Sequence, residues 1–201
     1  MMIIPYCKMK KSDGFIVWDK IPRISLTQAV WSPNPAPEVS VQGTYAADDA
    51  LYFRIESSRY PARAVNTERD SSVWEDDCLE CFVSFDGNQY VNLEANANGA
   101  LRAGIGTDRK NRKLIDSLDF REKPTVQSIR EEDSWYVIFR IPDAFIKEAF
   151  AVSLHSGMRF TGNFYCCGDK TDNPYYACWN EILTDAPDYH RPEYFGQLEL
   201  E

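Results

Sequence analysis

The chain has 201 residues, 44% hydrophobic and 26% charged, the proportions of a soluble globular protein long enough to bury a core without disulfides or metal. Lys and Arg number 22 against 31 Asp and Glu, a net charge of −9 that argues against a nucleic-acid partner, whose affinity comes largely from neutralised phosphates. No apolar run approaches the roughly 20 residues that span a bilayer. The start, Met1-Met2-Ile3-Ile4-Pro5-Tyr6, has no basic segment followed by an apolar one, so the chain reads as cytoplasmic unless a leader has been lost, with no membrane partner.

In chain order, residues 41–47 and 51–56 flank Asp48-Asp49-Ala50, a hairpin with an acidic turn. Residues 78–85 and 90–96 flank Asp86-Gly87-Asn88, a stronger hairpin signal because Asp-Gly suits the backbone of a tight turn. A strand over 101–105 follows the turn Asn98-Gly99, and strands over 125–130 and 135–141 are joined through Glu132-Asp133. Pro142 opens a short helix over 143–150. Strands resume over 151–154, 158–167 and 195–200. Many short strands with regular turns predict an all-β fold, an antiparallel β-sandwich with a few short helices, as one domain over residues 1–201. The Pro-rich run 32–37 reads as an extended loop inside it.

The six cysteines, Cys7, Cys78, Cys81, Cys166, Cys167 and Cys178, make no disulfide framework. Cys78 and Cys81 form a C-x-x-C inside a strand, where an offset of three sends side chains to opposite faces, and Cys166 and Cys167 diverge in the same way. The expectation is six thiols, packed as small hydrophobes, and no zinc. With His155 and His190 alone, a His-based dyad or multi-His metal site is poorly supplied, and no phosphate loop, nucleophile elbow or H-E-x-x-H occurs. Acidic residues are plentiful, so a carboxylate-based glycosidase with Glu80 and Glu94 stays open. The basic run 109–113 reads as a solvated loop.

Aromatic residues beside polar turns carry the functional signal. Trp74 opens a strand, and Trp179 lies in the loop-like stretch 173–180. A flat indole suits the C–H face of a sugar, and charged groups suit its hydroxyl rim. Trp18, Trp31 and Trp135 read as core residues, Trp31 packing under the Pro-rich loop.

Four segments, in order, resemble family 9 carbohydrate-binding modules: 45–53, Val73-Trp74-Glu75-Asp76-Asp77-Cys78-Leu79-Glu80-Cys81-Phe82-Val83, 90–99 and 190–200. The resemblance covers about residues 15–200. It implies a β-sandwich that holds a mono- or oligosaccharide between Trp74 and Trp179, with Glu80 accepting from hydroxyls and Arg102 donating to them. Asn163 and Tyr176 are further candidates, Tyr176 standing where the family pattern has an Asn. An inward Glu80 paired to Arg102 without ligand is the alternative. The resemblance implies no catalytic residues and no cofactor beyond structural calcium, for which Asp48, Asp49, Asp76 and Asp77 offer oxygen ligands. The same aspartates also fit plain turn carboxylates. The partner that the resemblance implies is a glycoside hydrolase.

Overall fold

Short runs rich in β-branched and aromatic residues, cut by Asp, Asn and Gly, favour strands over helices. The computed structural model describes residues 1–7 and 16–201. The strands are β1 (Met2–Ile4), β2 (Ile24–Ser25), β3 (Gln28–Ala29), β4 (Val39–Ala46), β5 (Ala50–Ser57), β6 (Cys78–Ser84), β7 (Tyr90–Asn96), β8 (Leu101–Gly106), β9 (Arg112–Leu114), β10 (Thr125–Arg130) and β11 (Trp135–Pro142). After helix α1 (Asp143–Phe150) come β12 (Arg159–Cys167), β13 (Tyr176–Cys178) and β14 (Gly196–Leu200). One expected strand is absent: residues 151–154 pair with nothing. Ala151 caps α1 in the left-handed conformation at φ 57°, and the Leu154 N–H donates to the Asp143 carboxylate at 2.9 Å. Bonds here close the helix end, so the next strand starts only at Arg159.

The larger sheet runs β1-β14-β12-β6-β7-β8-β9, with β13 continuing beside β12 and β3 beside β13. The smaller runs β10-β11-β5-β4-β2. β1 and β14 pair in parallel, Met2 opposite Leu198 and Ile4 opposite Leu200. The chain then crosses to the smaller sheet, where Tyr6 bridges Tyr45, again in parallel. No helix among the described residues is long and apolar enough to cross a membrane.

The inner faces meet through Leu79, Cys81, Leu93 and Phe164 on one side and Phe53, Ile55, Trp135 and Phe139 on the other, all buried. Phe53 and Phe164 pack edge to face with centroids 5.0 Å apart. The larger sheet is covered on its outer face too. There Cys78, Phe82, Tyr90, Tyr165 and Cys167 form a second apolar cluster with Val30, Ile182 and Tyr189 of covering segments. Every residue of β6 and β7 is therefore buried. Period-two alternation places Glu80, Asn92 and Glu94 on that same outer face, at 3% exposure or less.

Parity separates the cysteines along each strand: Cys81 and Cys166 lie in the inner core, Cys78 and Cys167 in the outer cluster. Register adds what spacing along the chain does not show. β6 and β12 pair with Cys78 opposite Cys167, so two thiols share one face.

Candidate functional site

The outer face of the larger sheet opens into a cavity of about 140 Å³. Glu80, Glu94, Cys167 and Tyr176 line it from the strands, and Trp31 and Trp74 from the connections around them. Arg109, Arg112, Asp169 and Asp188 bring charge to it.

Trp74 stands in the 3-10 turn Val73–Glu75, just before β6. Val73 is fully buried and anchors that turn, leaving the indole half-exposed. Arg102 of β8 lays its guanidinium over the Trp74 ring, 5.0 Å from its centroid, and donates to the Asp70 carbonyl at 2.5 Å. This cation–π contact fixes the indole from its own strand neighbourhood. Trp31 is held through Nε1, which donates to the Thr184 carbonyl at 2.6 Å, and through its edge contact with Tyr176 at 5.8 Å.

The floor holds two carboxyl groups side by side, Glu80 opposite Glu94 in the β6–β7 register. Glu94 has a cation, with Arg112 Nη1 3.3 Å from its Oε1, and accepts from Asn92 Nδ2 at 2.9 Å. Glu80 accepts from the Cys167 thiol, 3.3 Å away. Burial, and then the neighbouring Glu94 charge, hold the Glu80 carboxyl well above the usual carboxylate range. Burial also raises Glu94, with Arg112 and then Arg102 opposing. Of the two, Glu80 has no arginine in contact and is the one held further above that range. His190 lines the cavity with Nδ1 2.9 Å from the Tyr90 hydroxyl. Burial and the nearby Arg112, Arg109 and Arg102 push its pKa down to about 2, so the imidazole is neutral.

Of the six residues expected to contact ligand, Trp74, Glu80 and Tyr176 line this cavity. Arg102 stands at the Trp74 ring instead. Asn163 is fully buried and spends its amide on the protein: Oδ1 accepts from the Phe164 and Asn180 N–H groups at 3.0 and 2.9 Å, and Nδ2 donates to the Asn180 carbonyl at 2.9 Å. Trp179 packs on Phe164 at 5.8 Å, against the core between the sheets. Parity explains its direction. The stretch expected as loop contains β13, which sends Tyr176 and Cys178 outward and Ala177 inward, and the next residue, Trp179, follows Ala177.

The second indole of the cavity is Trp31, expected in the core. Arg109 and Arg112 come from the basic run expected as a solvated loop. Asp108 turns that run by accepting from the Lys110 and Asn111 N–H groups at 2.8 and 3.0 Å, and β9 then carries Arg112 back over the sheet. The signal was the Asp108-to-Asn111 turn between two potential strands.

The four turn aspartates stand in two separate turns. Asp49 accepts from Tyr52 and Arg140, in the β4–β5 turn. Asp76 accepts from the Asn66 and Asn96 N–H groups, and Asp77 from the Arg63 N–H and the Tyr175 hydroxyl, both just before β6. Among the described residues no three of these carboxylates lie within 4.8 Å of one another, and Asp76 Oδ1 is buried without a hydrogen-bond partner.

The sequence profile of carbohydrate-binding family 9 matches residues 11–200. Among solved structures, the chain is similar to a proposed carbohydrate-binding protein of Bacteroides uniformis ATCC 8492, at 30% identity and a TM-score of 0.74 over 91% of this chain and 88% of that one. It is also similar to a family 9 carbohydrate binding module of Caldicellulosiruptor kristjanssonii in complex with glucose, at 15% identity and a TM-score of 0.67 over 100% of this chain and 95% of that one. The cellotriose complex of such a module gives 14% identity and a TM-score of 0.67, over 100% and 93%. At those two identities the likeness is one of fold. No curated protein sequence matches the chain.

Proposed function

This chain belongs to carbohydrate-binding family 9, and from that premise we propose that its outer-face cavity holds the end of a mono- or oligosaccharide without cleaving it. The observation that carries this is the meeting of three aromatic side chains, Trp31, Trp74 and Tyr176, with two buried carboxyl groups in one cavity. The Trp74 indole covers the C–H face of a pyranose, and Trp31 and Tyr176 exclude water beside it. Glu80, protonated, both donates and accepts at the hydroxyl rim, and the Glu94–Arg112 pair supplies a fixed acceptor and donor next to it.

Binding without turnover is favoured by the placement of the acids. A glycosidase sets its two carboxyl groups on either side of the scissile bond. Glu80 and Glu94 are instead cross-strand neighbours on one floor. The partner class that follows is a glycoside hydrolase acting on the same sugar, since a non-catalytic site contributes by keeping substrate near an enzyme.

Titration with glucose, xylose, galactose and their β-linked oligomers, cellotriose included, is the test, read by calorimetry and Trp emission. Saturable binding of at least one of them, with the sugar recovered intact, is expected. Silence across the panel, or release of shorter sugars, overturns the proposal.

A further inference from the structure

Spacing along the chain argues against zinc, because neither cysteine pair shares a face. The register supplies what spacing denies. Cys78 lies opposite Cys167, and Glu80 is the next outward residue after Cys78 on β6. The two sulfurs and a Glu80 carboxylate oxygen lie within 4.8 Å of one another, all three side chains buried, with the Cys167 sulfur 3.3 Å from Glu80 Oε1. Among the described residues this is the one group of three such ligating side chains. Each of its members can become an anion. The nearby cation, Arg112, pairs with Glu94 instead.

We propose that Cys78, Glu80 and Cys167 form a site for a thiophilic divalent cation of the zinc class. Two thiolates and a carboxylate fill three corners of a tetrahedron, and bond lengths of about 2.3 Å to sulfur and 2.1 Å to oxygen set ligand separations of roughly 3.6–3.8 Å. Glu80 and Cys167 line the cavity, so the metal enters from there and the fourth corner faces it, open to water. Sulfur ligands select against calcium and magnesium. Binding releases both thiol protons to solvent, together with the one Glu80 holds. The site needs no sugar and does not depend on the sugar reading, although Glu80 is common to both.

The test therefore uses metal alone. Reduced, chelator-stripped protein is titrated with Cd²⁺, whose thiolate bonds absorb in the ultraviolet, and with Zn²⁺ against a chromophoric chelator. The cadmium band is expected to saturate at one equivalent. Cys78→Ser and Cys167→Ser should each weaken binding by at least roughly tenfold, the loss that removing even an indirect partner of a metal site causes. Cys166→Ser, on the inner face, should bind as wild type does. If the serine variants fail to fold, alkylation of the wild type in mild denaturant decides: bound cadmium should slow labelling of Cys78 and Cys167 but not of Cys81 and Cys166. No band at one equivalent, a band unchanged in Cys78→Ser, or equal labelling of all four cysteines overturns the proposal.

Discussion

Trp74 owes its place to contacts made on either side of it, Val73 buried beneath the turn and Arg102 over the ring. Its truncation should remove the stacking surface and little of the core. Trp74→Ala is expected to weaken sugar binding by about thirtyfold, the effect of about 2 kcal/mol at a central aromatic. Trp179→Ala should do the reverse, lowering the urea midpoint through lost packing on Phe164 while the folded protein keeps its affinity. An affinity unchanged in Trp74→Ala would remove that residue from the site. His190 gives a pH signature. Its pKa falls from 6.5 to about 2 on folding, so the unfolded chain takes up the proton first as pH drops. The stability it confers is present above pH 6.5 and lost as pH falls toward 2, with a slope of up to about 1.4 kcal/mol per pH unit for one proton. In His190→Gln that slope should flatten in urea unfolding measured across this window. That Trp74 and Glu80 line one cavity was legible because a single local segment, residues 73–83, carries both. Trp31 was not, because what brings it there is the bond from its ring to Thr184, far along the chain.

Hairpins were legible at the scale of elements. Where alternation runs over six or more residues and a turn residue closes it, as in β6–β7 and β10–β11, the observed limits differ little from those expected. β9 and β13, at three residues each, are too short to show a period, and they decide the cavity: β9 brings Arg112 in, and β13 sends Tyr176 out and leaves Trp179 inward. Gly106 lets β9 come close, because a Cβ there would lie 2.1 Å from the Asn111 carbonyl oxygen and 2.5 Å from the Arg112 Cα, both backbone atoms that cannot swing aside. Gly106→Ala should force β8 and β9 apart. It is expected to cost about 1–3 kcal/mol of stability, as overpacking does, and to weaken sugar binding through the displaced Arg112. Urea unfolding and sugar titration on one preparation check both effects, and a variant that keeps stability and affinity alike would contradict this account of β9.

The two sheets divide the labour of the whole molecule. The smaller one meets only the inner core on its buried side, while the larger one packs on that core with one face and on the segments that roof the cavity with the other. A substitution in the smaller sheet should therefore act on stability alone. Trp135, 1% exposed on β11, is the sharpest case. Trp135→Ala is expected to cost about 3–5 kcal/mol, while the protein that remains folded binds sugar as before, a separation that denaturation and titration at low temperature can resolve. A large loss of affinity in folded Trp135→Ala would show that the sheets are coupled. The sandwich itself was legible from strand count and turns. The face that carries the cavity was not, since it depends on which distant segments, among them Val30, Ile182 and Tyr189, come to cover the sheet.

β1 and β14 lie side by side and run the same way, and Cys7 and Tyr45 extend the clamp to the other sheet through a 2.7 Å hydrogen bond. A pull applied at the start of β1 and the end of β14 is then directed along the strands. Parallel neighbours slide under such a load, and their hydrogen bonds share the tension, whereas a hairpin pulled at its open end unzips one bond after another. The first strand to yield would also have to leave Tyr45 and the smaller sheet. β12 stands between this clamp and β6, so tension carried from end to end bypasses the floor built by Glu80 and Glu94. The proposed sugar site would thus keep its shape while the ends of the chain are under strain.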